Sequence, residues 1–166
     1  MHLETQSIDQ TLALGRLLGR LAPAMPAVTC IALVGPLGAG KTHLTRGIAL
    51  GAAVTDPSLV SSPTYVIMNI YEGPKRIYHL DAYRAESPAA FEEIGLDEIL
   101  VGETGGGIVV IEWAGRVRNA LPEDTLCIVI DHAGDTARSL ELTAGGPATA
   151  QLLQNLEIAL TRDGWN

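Results

Sequence analysis

The chain has 166 residues, 47% hydrophobic and 18% charged, with 19 acidic against 11 basic side chains and a formal net charge of −8. These numbers suit one domain with a real core and exclude a disordered chain, and 18 glycines without a three-residue period exclude collagen. The acidic balance argues against a free nucleic-acid binder, DNA included, and no apolar run nears the ~18 residues of a membrane span.

In chain order, Ser7 and Gln10 form a capping-box pattern, and Ile8, Thr11, Leu14, Leu18 and Leu21 recur at helical spacing. A helix over about 8–22 is predicted, ending near Pro23 and Pro26. Val28–Val34 is almost purely apolar, as in a buried parallel strand. A glycine-rich loop over 35–42 and a helix from Lys41 to about Leu50 follow. Tyr65–Tyr71 and Arg76–Leu80 read as an antiparallel pair around Glu72-Gly73-Pro74. Ser87-Pro88 opens a further helix, interrupted near Gly95. Ile108–Ile111 is a second buried strand, Thr125–Asp131 and Arg138–Thr143 are further strands, and a last helix spans about 148–162. Alternating strands and helices predict an α/β fold: a single three-layer domain with a mostly parallel central sheet and antiparallel flanking strands, spanning 1–166. The polar N-terminus is unlike a secretory signal. Cys30 and Cys127 lie inside apolar runs and read as thiols of a reducing, cytoplasmic compartment.

The chemistry begins at Gly35-Pro36-Leu37-Gly38-Ala39-Gly40-Lys41-Thr42, which matches G-x-x-x-x-G-K-[ST] between a buried strand and a helix. Glycines let backbone amides close around phosphates, and the helix start presents unpaired N–H groups and a positive dipole end. Lys41 adds a mobile cation near the β and γ oxygens, and the Thr42 hydroxyl suits Mg²⁺. One of only two lysines in the chain stands at the required position. Mg²⁺ in such sites needs a carboxylate at the end of a neighbouring strand. Asp81 closes the run from Ile77, and Glu112 closes the more apolar run from Ile108, so both are metal-site candidates. Ser61-Ser62-Pro63-Thr64-Tyr65 is equally a plain loop or a switch segment whose Thr64 faces the γ-phosphate. His79 alternates with Asp81 on its strand and is expected to serve packing.

Together GPLGAGKTHLTRG at 35–47, SPTY at 62–65, YHLDAYR at 78–84, EEIGLDEIL at 92–100 and IEW at 111–113 resemble the TsaE (YjeE) family of small bacterial ATPases. The likeness covers roughly 7–145, and its order of SPTY, HLDAYR and IEW is more specific than the phosphate loop. The resemblance implies a P-loop NTPase-like domain that binds ATP and Mg²⁺. Gly35, Leu37, Gly38, Ala39, Gly40, Lys41, Thr42 and His43 would contact the nucleotide, with Trp113 beside it and Arg138 touching it. Thr42, Asp81 and Glu112 would hold the metal, and Lys41, Asp81, Glu112 and Thr64 would serve hydrolysis. Pro36 and His43 depart from the usual family residues at those positions. The resemblance also implies weak ATPase activity alone, TsaD and TsaB as partners, and a role in threonylcarbamoyl modification of a tRNA adenosine beside the anticodon, with tRNA held by the partners. The acidic composition is compatible with that division.

Two other functions fit the loop: a small-molecule kinase, which would need clustered arginines, and a nucleotide-gated binding module without hydrolysis. A GTPase is disfavoured, because Lys75 follows proline instead of asparagine and Asp81 is not followed by D-x-x-G. Arg46 and Arg84 are the candidate arginines for assisting hydrolysis within the chain.

Overall fold

The computed structural model describes residues 1–23, 27–61, 68–83 and 95–165. Seven strands are β1 (His2–Thr5), β2 (Val28–Val34), β3 (Met68–Tyr71), β4 (Ile77–Asp81), β5 (Gly107–Glu112), β6 (Thr125–His132) and β7 (Arg138–Ala144). They form one sheet in the order β1-β7-β6-β2-β5-β4-β3. The inner strands β6, β2, β5 and β4 run parallel, while β7, β1 and β3 pair antiparallel at the flanks. This is the predicted architecture. The reason is legible in burial. β4 and β5 are buried at every position, as strands covered on both faces must be. In β7, Leu140 and Leu142 are buried while Glu141 and Thr143 face out, the alternation of a strand covered on one face.

Helices α1 (Ile8–Leu21), α2 (Lys41–Gly51) and α4 (Pro147–Arg162) pack on one face, where Leu14, Leu18, Leu44, Ile48 and Leu156 meet Ile31, Leu33 and Ile128 in one core. Burying a leucine of this kind stabilises the fold by about 1.5–3 kcal/mol. On the other face, the described residues supply only the short helix α3 (Leu96–Leu100) and two tight turns, with Leu96, Ile99, Ala114 and Val117 over Tyr78, Leu80 and Ile111. Much of the predicted helix opening at Ser87 lies outside the described residues, as do 65–67 of the strand predicted from Tyr65.

Ser7 caps α1 by accepting from Gln10 N at 3.2 Å, as predicted, whereas the Gln10 side chain reaches Gln6 N at 2.6 Å. α1 and α2 touch through glycine. A Cβ on Gly15 or Gly19 would lie 2.4 or 2.0 Å from the carbonyl of Leu44 or Ile48, and one on Gly47 or Gly51 would lie 2.4 or 2.1 Å from that of Leu12 or Arg16. α4 starts at Gly146, which has no side chain to cap it. Asp124, from the loop before β6, accepts instead from Ala148 N (2.8 Å), Thr149 N (2.9 Å) and Thr149 Oγ1 (2.6 Å). The first strand was not anticipated. Met1 exchanges both backbone hydrogen bonds with Leu142, and β1 then extends the sheet beside β7.

Candidate functional site

Residues 35–40 link the end of β2 to the start of α2, so the loop lies at the carboxyl edge of the parallel strands, where open α/β sheets place ligands. Gly38 and Gly40 have φ of 76° and 101°, values that L side chains rarely adopt, which explains the glycines of the motif. Lys41 is the first residue of α2 and is 4% exposed. Its Nζ donates to Gly35 O (2.8 Å) and Pro36 O (2.7 Å) and stands 3.8 Å from the centre of the Trp113 ring. Burial pulls its pKa below the ordinary lysine value, against the opposing pull of the Glu112 and Asp81 carboxylates.

Glu112 ends β5 directly across from Asp81 at the end of β4, and the two carboxylates share the sheet face that carries α2. Thr42 Oγ1 donates to Glu112 Oε2 at 3.0 Å, so the last residue of the motif and the strand-end carboxylate are in direct contact. Thr45, one turn on, faces Lys41 O at 3.0 Å and Glu112 Oε1 at 3.4 Å with its hydroxyl. Asp81 accepts from Tyr83 N at 2.9 Å. Among the described residues no three His, Cys, Asp or Glu side chains converge as a self-sufficient metal cage. A hydroxyl and two carboxylates do fit Mg²⁺, which takes hard oxygens and completes its shell with water and phosphate.

What the sequence did not show is the contact His79 makes. It is fully buried, as expected for packing, but its Nε2 lies 2.9 Å from Glu112 Oε1. A carboxylate only accepts, so Nε2 donates and Nδ1 is left buried without a partner among the described residues. His79 therefore fixes the orientation of Glu112. The signal was its two-residue spacing from Asp81, which puts both on one face of β4.

Trp113, directly after Glu112, has a φ of 59°, a left-handed conformation that costs a non-glycine residue about 1–2 kcal/mol. That turn sends the indole back over Lys41. Tyr83 packs against it at a tilt, with ring centres 4.9 Å apart, and the Arg116 guanidinium sits 4.8 Å from the Tyr83 ring. A cleft of about 220 Å³ results, lined by Leu37, Gly38, Gly40, Lys41, Thr42, His43, Glu112 and Trp113. The Ala39 side chain is buried beneath the loop. Arg138 lies against the loop from outside, donating to Ala39 O at 2.9 Å. Arg46 donates to Val60 O at 3.2 and 2.9 Å through Nε and Nη2. Thr64, the rest of SPTY, and Arg84 lie outside the described residues. A larger cleft of about 380 Å³, on the opposite sheet face beside Ala32 and Cys127, holds none of the predicted site residues. Burial raises both thiols, Cys30 to about 11, and both are free. No helix among the described residues is long and apolar enough to cross a membrane.

Comparison with known proteins points the same way as the motifs. The family model described as "Threonylcarbamoyl adenosine biosynthesis protein TsaE" matches residues 5–140. The tRNA threonylcarbamoyladenosine biosynthesis protein TsaE of Bacillus subtilis is 37% identical over 153 residues, 92% of this chain and 90% of that protein. Its counterpart in Treponema pallidum is 34% identical over 140 residues, 84% of this chain and 98% of that protein. The crystal structure of Bacillus subtilis YdiB superposes with a TM-score of 0.78 at 32% identity, over 96% of this chain and 95% of that one. With the family model covering most of the sheet and every described motif, the chain belongs to the TsaE family of threonylcarbamoyladenosine biosynthesis proteins.

Proposed function

We propose that this chain binds ATP with Mg²⁺ at residues 35–43 and hydrolyses it as a partner of TsaB and TsaD in the threonylcarbamoyl modification of tRNA adenosine. The family places it in that pathway, and the nucleotide chemistry rests on the site. One observation carries the reading: Lys41, Thr42 and Glu112 converge at a helix N-terminus beneath a loop whose glycines adopt positive φ. Backbone amides of residues 38–43 and Lys41 would take the phosphates. Thr42, Glu112 and Asp81 would hold Mg²⁺, which when bound supplies charge neutralisation at the β and γ oxygens. Glu112, oriented by His79 and Thr45, would hold the attacking water, and Thr64 would sense the γ-phosphate.

Slow turnover by the isolated chain follows from the arginines. Among the described residues none aims at the cleft: Arg46 is held by Val60, Arg116 donates to Tyr83 O, and Arg138 faces the outside of the loop. The same absence of a cluster weighs against a metabolite kinase. ATP turnover measured with and without TsaB and TsaD tests the reading. A rise of at least roughly tenfold with the partners, lost in Glu112→Ala while ATP binding persists, is the expected result. Absence of ATP binding both alone and in the assembly defeats the proposal. Binding with full partner-stimulated turnover in Glu112→Ala removes Glu112 from its role.

A further inference from the structure

Five consecutive carbonyls of the phosphate loop are engaged by side chains. Lys41 Nζ takes those of Gly35 and Pro36. The next three face the hairpin of β6 and β7, whose His132 and Arg138 are cross-strand partners. His132 Nε2 lies 3.4 Å from Leu37 O, Arg138 Nη2 donates to Gly38 O at 3.3 Å, and Arg138 Nε donates to Ala39 O at 2.9 Å. The same guanidinium anchors itself in the hairpin turn, donating through Nη1 to Ala137 O at 2.7 Å, with Asp135 O and Gly134 O at 3.4 and 3.5 Å. Nε, Nη1 and Nη2 are thus all directed at backbone carbonyls.

A trans peptide points its C=O and N–H in opposite directions. Each carbonyl drawn towards Arg138 therefore turns the amide of the following residue away from the hairpin. Ala39 N, turned in this way, donates to Pro36 O at 3.3 Å and closes the loop on itself. Gly40 N is turned by the bond to Ala39 O. In a segment this rich in glycine, little else opposes a peptide flip, and a flipped carbonyl would present negative charge to a phosphate. Lysine could not replace the guanidinium, because only the planar fork serves loop and turn together.

We propose that Arg138 is a positioning residue for nucleotide binding: it sets the phosphate loop from its outer side, through backbone carbonyls, without touching the ligand. The inference rests on the ATP reading above. Its test compares the parent with Arg138→Ala, Arg138→Lys and Lys41→Ala by calorimetric titration with ATP and Mg²⁺, by thermal unfolding, and by amide NMR without nucleotide. Arg138→Ala is expected to bind ATP about tenfold more weakly, the size of one lost charge-assisted hydrogen bond. Its Ala39 and Gly40 amide resonances should move before any nucleotide is added, and millimolar methylguanidinium should restore both readouts. Arg138→Lys should remain weak, and it carries the same test if the alanine variant does not fold.

Unchanged ATP affinity in Arg138→Ala overturns the proposal, as does parental affinity in Arg138→Lys. Weakened binding with unmoved loop amides also overturns it, since it would mean direct contact with the ligand. If the parent binds ATP, Lys41→Ala does not, and Arg138→Ala binds as the parent does, only this inference falls. If the parent binds no ATP either alone or with its partners, the ATP reading falls and takes this one with it.

Discussion

The two lysines occupy opposite ends of two neighbouring helices. Lys75 Nζ donates to Gly19 O (3.0 Å), Arg20 O (2.7 Å) and Ala22 O, at the C-terminal end of α1 where carbonyls lack helical partners and the dipole is negative. Lys41 Nζ also donates to two carbonyls, but it stands at the start of α2, the positive pole of its helix, with an indole face on its remaining side. Burial lowers the pKa of both. The ammonium of Lys75 completes a structure that would otherwise have orphaned acceptors. That of Lys41 stands at the positive pole of α2, beside the Glu112 and Asp81 carboxylates. The same side chain caps a helix end in one place and, on the reading proposed above, would receive a phosphate in the other, and the helix pole is the main difference between the two settings.

The sharpest break of that contrast is Lys41→Ala. ATP affinity should fall at least roughly 100-fold, the scale of losing one or two charged hydrogen bonds, with Tm moving by only a few degrees. Lys75→Met should do the reverse: a loss of about 1–2 kcal/mol and a fall in Tm of roughly 3–6 °C, with ATP affinity unchanged in titration calorimetry. Equal loss of binding in both variants would dissolve the distinction.

Asp124 extends the comparison to a helix start filled by the chain's own anion. Hydrogen bonds from Thr149, side chain first and backbone second, hold its carboxyl below the usual aspartate range, and Ala148 N adds to this. A depressed folded-state pKa contributes stability above the unfolded value and loses it as pH falls through the folded one. Asp124→Asn should therefore cost up to about 1 kcal/mol at neutral pH. The gap to the parent should close below about pH 4, as followed by urea unfolding across pH.

The sequence made the loop, β2, β5 and the two strand-end carboxylates readable, because each is written in contiguous residues: an apolar run, a fixed spacing, an acid at its end. What it hid depends on partners brought together only by folding. His79 looks like any buried strand residue until β4 pairs with β5 and delivers it to Glu112. β1 carries no apolar run and exists because Leu3 finds Leu140 across the sheet. Lys75 and Asp124 cap helices that lie far from them in the chain, and no local capping pattern announces either. The resemblance offers Arg138 only as a nucleotide contact, and its bonds to the carbonyls of Gly38 and Ala39 are visible only in three dimensions.

The bare meeting of α1 and α2 has a consequence for where damage can strike. With Gly15 and Gly19 set against Leu44 and Ile48, and Gly47 and Gly51 against Leu12 and Arg16, no methylene cushions the two spines. α2 therefore takes its berth from α1, and the tip that bears Lys41 and Thr42 inherits any lateral shove along the shaft. A single methyl added at Gly19, against the Ile48 carbonyl about two turns from Lys41, would tilt that tip without altering one reactive atom.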